Sequence, residues 1–98
     1  MIEISKDIPL RVVVLDILKP HEPDILRFGK SILKERSVET LNISVSEIDK
    51  ETESVKLVLS GKNINFEKVK NKIESMGAVI HSIDKAVLGE EEIIEEPS

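Results

Sequence analysis

The sequence predicts a small α+β fold built on one four-stranded antiparallel sheet. Four stretches rich in Ile, Val and Leu have the character of strands, and two stretches with helical spacing follow the first and the third of them. The chain has 98 residues, which is enough for one hydrophobic core. With right-handed crossovers, the order β-α-β-β-α-β gives a sheet of strand order 4-1-3-2 with both helices on one face, which is the ferredoxin-like fold.

The first predicted strand, at residues 10–18, is a nearly continuous β-branched run, which is typical of a strand covered on both faces. The sequence Lys-Pro-His-Glu-Pro at 19–23 ends this strand, because neither proline can donate a hydrogen bond to a sheet. Pro23 suits the first turn of a helix, and the helical spacing extends to Arg36. Gly29 weakens that helix by roughly 1 kcal/mol relative to alanine, so we expect a close backbone approach there.

The rest of the chain repeats this arrangement. A polar hairpin separates two strands in which apolar and polar residues alternate, at 38–49 and 54–60. An asparagine-capped helix and a last strand then complete the sheet. We therefore place one folded domain at residues 1–89 and a flexible acidic tail at residues 90–98.

Composition excludes several classes of function. The chain has no cysteine, which removes disulfides, thiolate metal sites and cysteine nucleophiles together. Its net charge of -5 argues against a general nucleic-acid binder, because attraction to phosphates dominates that kind of binding. No signal peptide is visible, and no apolar run approaches the ~20 residues of a membrane span. We therefore expect a cytoplasmic protein that binds neither nucleic acid nor membrane.

The predicted topology gathers polar residues at one edge of the sheet, where the first strand ends, the hairpin turns and the last strand begins. Carboxylates favour Ca²⁺ or Mg²⁺, and an added imidazole shifts the preference toward Mn²⁺ or Zn²⁺. The candidate metal ligands at this edge are Asp16, His21, Glu22, Glu47, Asp49 and His81.

Two observations limit this metal hypothesis. Strand parity places Asp16 on one face of the sheet and Glu47 with Asp49 on the other, so the six residues need not meet at one ion. An acidic hairpin is also ordinarily a solvated surface. Of the two histidines, His81 can be a half-buried strand residue, whereas His21 lies between prolines in a loop and is the better functional candidate.

The face of the sheet away from the helices carries a second signal. Asn42, Ser44 and Lys56 are expected there, yet Val12, Val14 and Val58 lie on the central strands of the same face. An apolar patch of this kind usually marks an interface. Burial of the three valines at roughly 1.5–3 kcal/mol each would contribute several kcal/mol before the costs of association. The sequence therefore predicts a homo-oligomer.

Enzymes and carriers of this fold need residues that are absent. A metallochaperone needs paired cysteines, an RNA-recognition motif needs aromatic residues on the sheet, and an acylphosphatase needs an arginine in a glycine-rich loop. We therefore expect a homo-oligomeric binding protein, with a divalent cation as a candidate ligand, rather than an enzyme. The alternatives are a regulatory or scaffold subunit that senses small ligands at subunit interfaces and, more remotely, a metal-dependent hydrolase.

Three segments resemble a known family. They are Arg-Val-Val-Val-Leu-Asp-Ile-Leu-Lys-Pro-His-Glu-Pro at 11–23, Leu-Asn-Ile-Ser-Val-Ser-Glu-Ile-Asp-Lys-Glu-Thr-Glu at 41–53 and Gly-Ala-Val-Ile-His-Ser-Ile-Asp-Lys-Ala-Val at 77–87. Together they are similar to an archaeal domain-of-unknown-function family, number 211, over about residues 9–89. The resemblance implies a ferredoxin-like fold, a cytoplasmic archaeal origin and ring-like homo-oligomers, and it supplies no reaction. The family's motif blocks include Asp84 as well as the six candidate ligands.

Overall fold

The computed structural model describes residues 8–90. Its elements follow the predicted order: β1 Leu10–Pro20, α1 Ile25–Ile32, β2 Thr40–Ile48, β3 Thr52–Ser60, α2 Phe66–Ser75 and β4 Val79–Leu88. The predicted flexible tail lies outside the described residues except for Glu90. Neither helix within residues 8–90 is long and apolar enough to cross a bilayer.

The four strands form one antiparallel sheet of order β2-β3-β1-β4, which confirms the predicted topology. Helices α1 and α2 contact each other and cover one face of this sheet. Their apolar stripes meet alternate residues of the two central strands, so the core is aliphatic apart from one phenylalanine. The fully buried core residues are Val13, Leu15, Ile17, Phe28, Ile32, Val55, Leu57, Leu59, Val69, Ile73 and Ala78.

Strand β1 is covered on one face, whereas its continuous β-branched sequence predicted cover on both. Val13, Leu15 and Ile17 are buried beneath the helices, but Leu18 on the opposite face is 41% exposed. We call that opposite side of the sheet the open face. The strand also continues two residues beyond its predicted end, because Pro20 is its last residue and pairs with Thr52 without needing to donate within the sheet.

Helix α1 begins at Ile25, two residues after Pro23, which the sequence placed in its first turn. The side chain of Asp24 accepts a hydrogen bond from the Arg27 backbone N–H at 2.9 Å, so Asp24 is the N-cap and Pro23 precedes it. The predicted close approach at Gly29 is to side chains rather than to backbone. A Cβ added there would lie 3.3 Å from Leu41 Cδ2, so the small residue lets α1 pack closely on β2.

Helix α1 also ends before Arg36, at Ile32. The carboxylate of Glu35 accepts hydrogen bonds from Ser37 Oγ at 2.6 Å and from the Ser37 backbone N–H at 3.1 Å. These bonds lower the pKa of Glu35 and hold a tight turn where the helix would otherwise continue. The helical spacing of the sequence therefore extends past the true end of the helix.

Three extra residues interrupt the ladders of the two edge strands. Ser46 has no partner on β3, because Val45 pairs with Val55 and Glu47 pairs with Ser54. His81 and Asp84 are the corresponding extra residues of β4 opposite β1. Bulges increase local twist and redirect side chains. They therefore change which face some residues of the edge strands occupy.

Candidate functional site

The end of β1 carries a buried charge. Lys19 is the next inward-facing residue of β1 after Val13, Leu15 and Ile17, and its side chain is fully buried. Its Nζ donates to the backbone oxygens of Pro20 at 2.8 Å and His21 at 3.3 Å, and to Glu53 Oε1 at 3.2 Å. Each of its three protons therefore has an acceptor, and Nζ also lies 5.8 Å from the centre of the Phe28 ring.

His21 is held by the same carboxylate. Its Nδ1 lies 2.9 Å from Glu53 Oε2, and its Nε2 lies 2.9 Å from the Lys50 backbone oxygen. A carbonyl oxygen only accepts, so Nε2 carries a proton, and a proton on Nδ1 completes a charged bond to the carboxylate. The Glu53 and Lys50 bonds raise the pKa of His21, while the His21 and Lys19 bonds lower the pKa of Glu53.

We call Lys19, His21 and Glu53 the hairpin latch, because they fasten the loop after β1 to the β2–β3 hairpin. The pairing Lys19–Glu53 is also a cross-strand pair of the β1–β3 ladder. Both ring nitrogens of His21 are hydrogen-bonded in this arrangement, so neither is free to bind a metal ion. The histidine that was the better functional candidate in the sequence thus has a structural role.

A second group of predicted residues lies on the open face. Asp16 and His81 line one shallow depression of about 240 Å³ together with Ile17, Leu18 and Ser54. The bulge at His81 displaces this side chain from the regular alternation of β4. A carboxylate and an imidazole next to a serine can supply part of the coordination shell of a cation, but two strong ligands do not complete that shell.

The remaining predicted ligands are dispersed. Glu22, Glu47 and Asp49 are all exposed. The bulge at Ser46 pairs Glu47 with Ser54, which places Glu47 on the open face rather than on the covered face that simple parity predicted. Within residues 8–90, no three Asp, Glu or His side chains are arranged to hold one metal ion. The metal site predicted from the sequence therefore stays a prediction.

The open face holds the three predicted interface valines in register. Val14 pairs with Val58 across β1 and β3, and Val12 pairs with Val87 across β1 and β4. The same face adds Leu18 and its partner Val79, which are 41% and 51% exposed. The apolar band on β1 is therefore longer than the sequence suggested.

Charged side chains of both signs lie among and beside these apolar residues, because Asp16 stands between Val14 and Leu18 on β1. Lys56 Nζ lies 3.7 Å from Asp84 Oδ2, so this ion pair crosses over β1 from β3 to β4. Asp16 is the cross-strand neighbour of Lys56, and Lys85 is that of Val14. The charges on the open face are thus nearly balanced in sign.

The hairpin latch was not predicted from the sequence. The signal was present, because Lys19 falls on the inward positions of β1, where a charged residue requires a buried partner. The pairing of Lys19 with Glu53 further required the length of the hairpin, which the structure sets through the hydrogen bond from Asp49 N–H to Thr52 O at 2.8 Å.

Two comparisons with known proteins place the chain in a family. The sequence profile of domain-of-unknown-function family 211, described as uncharacterised ArCR proteins, matches residues 11–98. The match extends through the acidic tail, beyond the three segments that carry the resemblance. An uncharacterised protein of Methanocaldococcus jannaschii is 48% identical over 87 residues, covering 89% of each chain. The chain belongs to this archaeal family of uncharacterised proteins.

Proposed function

We propose that this protein is a homo-oligomeric binding module whose open face is buried against further copies of the same chain. The observation that carries the proposal is the apolar band along β1, in which Val12, Val14 and Leu18 have no helix over them. Helices α1 and α2 cover the other side of the sheet, and no element within residues 8–90 covers this band, so a second copy of the chain can bury it. Burial of such a surface is the main favourable contribution to association.

A second copy is a suitable partner because the band has charges of both signs around it. A symmetric dimer brings the same surface together twice, so every charge must find an acceptable neighbour in an identical patch. Lys56 and Lys85 can approach Asp16, Glu47 or Asp84 of another copy without a net excess of one sign. A partner of strongly basic or acidic character has no such match here.

The edges of the sheet support contact through the face rather than through added strands. Bulges at Ser46 in β2 and at His81 and Asp84 in β4 distort both free edges. Irregular edge strands disfavour continuous edge-to-edge pairing. The open face is therefore the better surface for assembly.

The experiment is a measurement of mass in solution by multi-angle light scattering at micromolar concentration. The proposal predicts a multiple of the 11.0 kDa chain mass. A single species of chain mass across the whole concentration range would contradict it.

Binding of a divalent cation at the depression between Asp16 and His81 is the second candidate function. The depression lies beside the apolar band, so a second copy covering the band would also approach these two side chains. A carboxylate and an imidazole favour Mn²⁺ or Zn²⁺ over Ca²⁺ or Mg²⁺. In this second candidate function the cation binds between subunits and has no catalytic role.

A further inference from the structure

The cross-strand pairs that β1 and β4 present on the open face follow a symmetric order. The two outer pairs are apolar on both strands, and each of the two inner pairs combines one charged residue with one uncharged residue. In order along β1, the four pairs are Val12–Val87, Val14–Lys85, Asp16–Ser82 and Leu18–Val79. The centre of this order lies between the second and the third pair, between the two strands and beside Leu15.

This order makes the surface complementary to itself. A two-fold axis through its centre, perpendicular to the sheet, lays β1 of one copy over β4 of the other and reverses the strand direction. Each outer apolar pair of one copy then lies over the apolar pair at the opposite end in the other copy. The same axis places Lys85 of one copy over Asp16 of the other, and it does so twice. Aligned packing keeps the strands of two facing sheets within about 30° of each other, so the correspondence extends over all four pairs.

The contacts within one chain leave Asp16 and Lys85 for such a pairing. The carboxylate of Asp84 is already used, because Lys56 Nζ lies 3.7 Å from its Oδ2 and Ser82 Oγ donates to its Oδ1 at 2.7 Å. Among residues 8–90, neither Asp16 nor Lys85 takes part in an ion pair. Asp16 is already half-buried, so a second sheet laid over it would remove most of its remaining water. A carboxylate in that position requires an opposite charge.

We propose that two copies meet through their open faces about this axis and that Asp16 of each copy pairs with Lys85 of the other. This inference rests on the proposed function, because it specifies how one copy covers the other. Facing sheets lie about 10 Å apart, a distance that an aspartate and a lysine side chain span together. The two ion pairs fix the register of the contact, since a shift by two residues would place both charges over apolar side chains.

Two charge reversals and their mixture test the pairing by sedimentation velocity at micromolar concentration. Asp16→Lys sets lysines against each other at both contacts, and Lys85→Glu sets carboxylates against each other. Each variant alone should raise the dissociation constant at least about tenfold, because like charges across an interface are strongly unfavourable. An equimolar mixture of the two variants should assemble again, because both contacts of the mixed pair then join opposite charges. The buffer contains EDTA, so that no cation bound at Asp16 contributes.

A matched variant and a milder pair of variants control for effects on folding. Lys30→Glu makes the same charge change at an exposed position of α1 and should assemble as the wild type does. Asp16→Asn and Lys85→Gln remove the charges without reversing them. Their double variant should bind no more weakly than either single variant, because each substitution removes the same contact.

The outcomes separate the pairing from the assembly itself. Unchanged assembly of both charge-reversed variants, or a mixture of the two that stays dissociated, would overturn the pairing and leave assembly through the open face standing. A wild type that assembles without EDTA but not with it would show that a cation joins the copies, which also overturns the pairing. A wild type that is monomeric in both buffers would contradict the proposed function and the pairing together.

Discussion

The carboxylate of Glu53 joins two cationic groups, with Oε2 lying 2.9 Å from Nδ1 of His21 and Oε1 lying 3.2 Å from Nζ of Lys19. These contacts connect the loop after β1 with the β2–β3 hairpin at the end of the sheet where polar residues concentrate. Lys19 is fully buried and Glu53 largely so, and loss of the Glu53 charge would therefore leave the Lys19 ammonium without its counter-charge.

The latch should make stability depend on pH in two directions. The pKa of His21 is raised above its ordinary value of 6.5, so its stabilising contribution is complete below pH 6.5 and is lost as pH rises through the folded-state pKa. The pKa of Glu53 is lowered from 4.5, so its contribution is complete above pH 4.5 and is lost as pH falls through the folded-state pKa. Both contributions are complete between these two ordinary values.

Urea unfolding at a series of pH values measures this dependence. His21→Gln should remove much of the decline in stability on the alkaline side, because a glutamine side chain does not titrate in this pH range. The matched control is His81→Gln, which replaces the other histidine at an exposed position and should keep the decline. If stability declined equally at alkaline pH in the wild type and the His21 variant, the role of the latch would be contradicted.

Removing only one partner of the buried pair should destabilise the fold. Glu53→Gln leaves the ammonium of Lys19 buried without its counter-charge, so the urea midpoint should fall with little change in slope. The double variant Lys19→Met with Glu53→Gln should recover part of the loss, because an apolar side chain then packs near Phe28. Glu51→Gln, an exposed change in the same hairpin, is the control, and an equal effect of Glu51→Gln and Glu53→Gln would disprove the pairing.

Gly61 should be intolerant of a side chain. A Cβ at this position would collide with the backbone oxygen of Ser37, and its backbone N–H donates to Arg11 O at 3.0 Å. Gly61→Ala should therefore cost about 1–3 kcal/mol of unfolding free energy, as overpacking does. Gly29→Ala meets only side chains, with Leu41 Cδ2 at 3.3 Å and Ile43 Cγ2 at an ordinary 3.9 Å, and it gains up to ~1 kcal/mol of helix propensity, so it should be nearly neutral. Equal thermal stability of the two variants would contradict this difference.

The cation site between Asp16 and His81 is tested by titration calorimetry with Ca²⁺, Mg²⁺, Mn²⁺ and Zn²⁺. We expect heat with Mn²⁺ or Zn²⁺, and we expect Asp16→Asn and His81→Ala each to abolish it. Glu67→Gln changes an exposed carboxylate on α2 and should leave the heat unchanged. No heat and no thermal shift with any of the four ions would remove this candidate.

The sequence was sufficient for the topology because alternation with period two marks the faces of a strand. Val55, Leu57 and Leu59 alternate cleanly, and all three lie in the core. Prediction was less successful where local hydrogen bonds decide the structure. The Glu35–Ser37 turn shortens α1, and the Ser46 bulge moves Glu47 to the open face, although neither sequence departs from its regular pattern.

The candidate site was predictable as a region but not as a set of contacts. Topology alone placed Asp16, His21 and His81 near one end of the sheet. It did not separate them into the hairpin latch and the depression on the open face, because that separation depends on the bulge at His81 and on the inward position of Lys19. Parity identifies such an inward lysine, but only the fold identifies its partner.

Burial of the open face by another copy is the central claim, and sedimentation velocity of Val14→Glu tests it most directly. Val14 pairs with Val58 at the centre of the apolar band, so a carboxylate there should raise the dissociation constant at least about 30-fold, which corresponds to roughly 2 kcal/mol. The control is Leu26→Glu, because Leu26 is 69% exposed on α1 and lies away from the open face. We predict an oligomer for the wild type and the Leu26 variant and a folded monomer for the Val14 variant. An unchanged oligomer in the Val14 variant would contradict the claim.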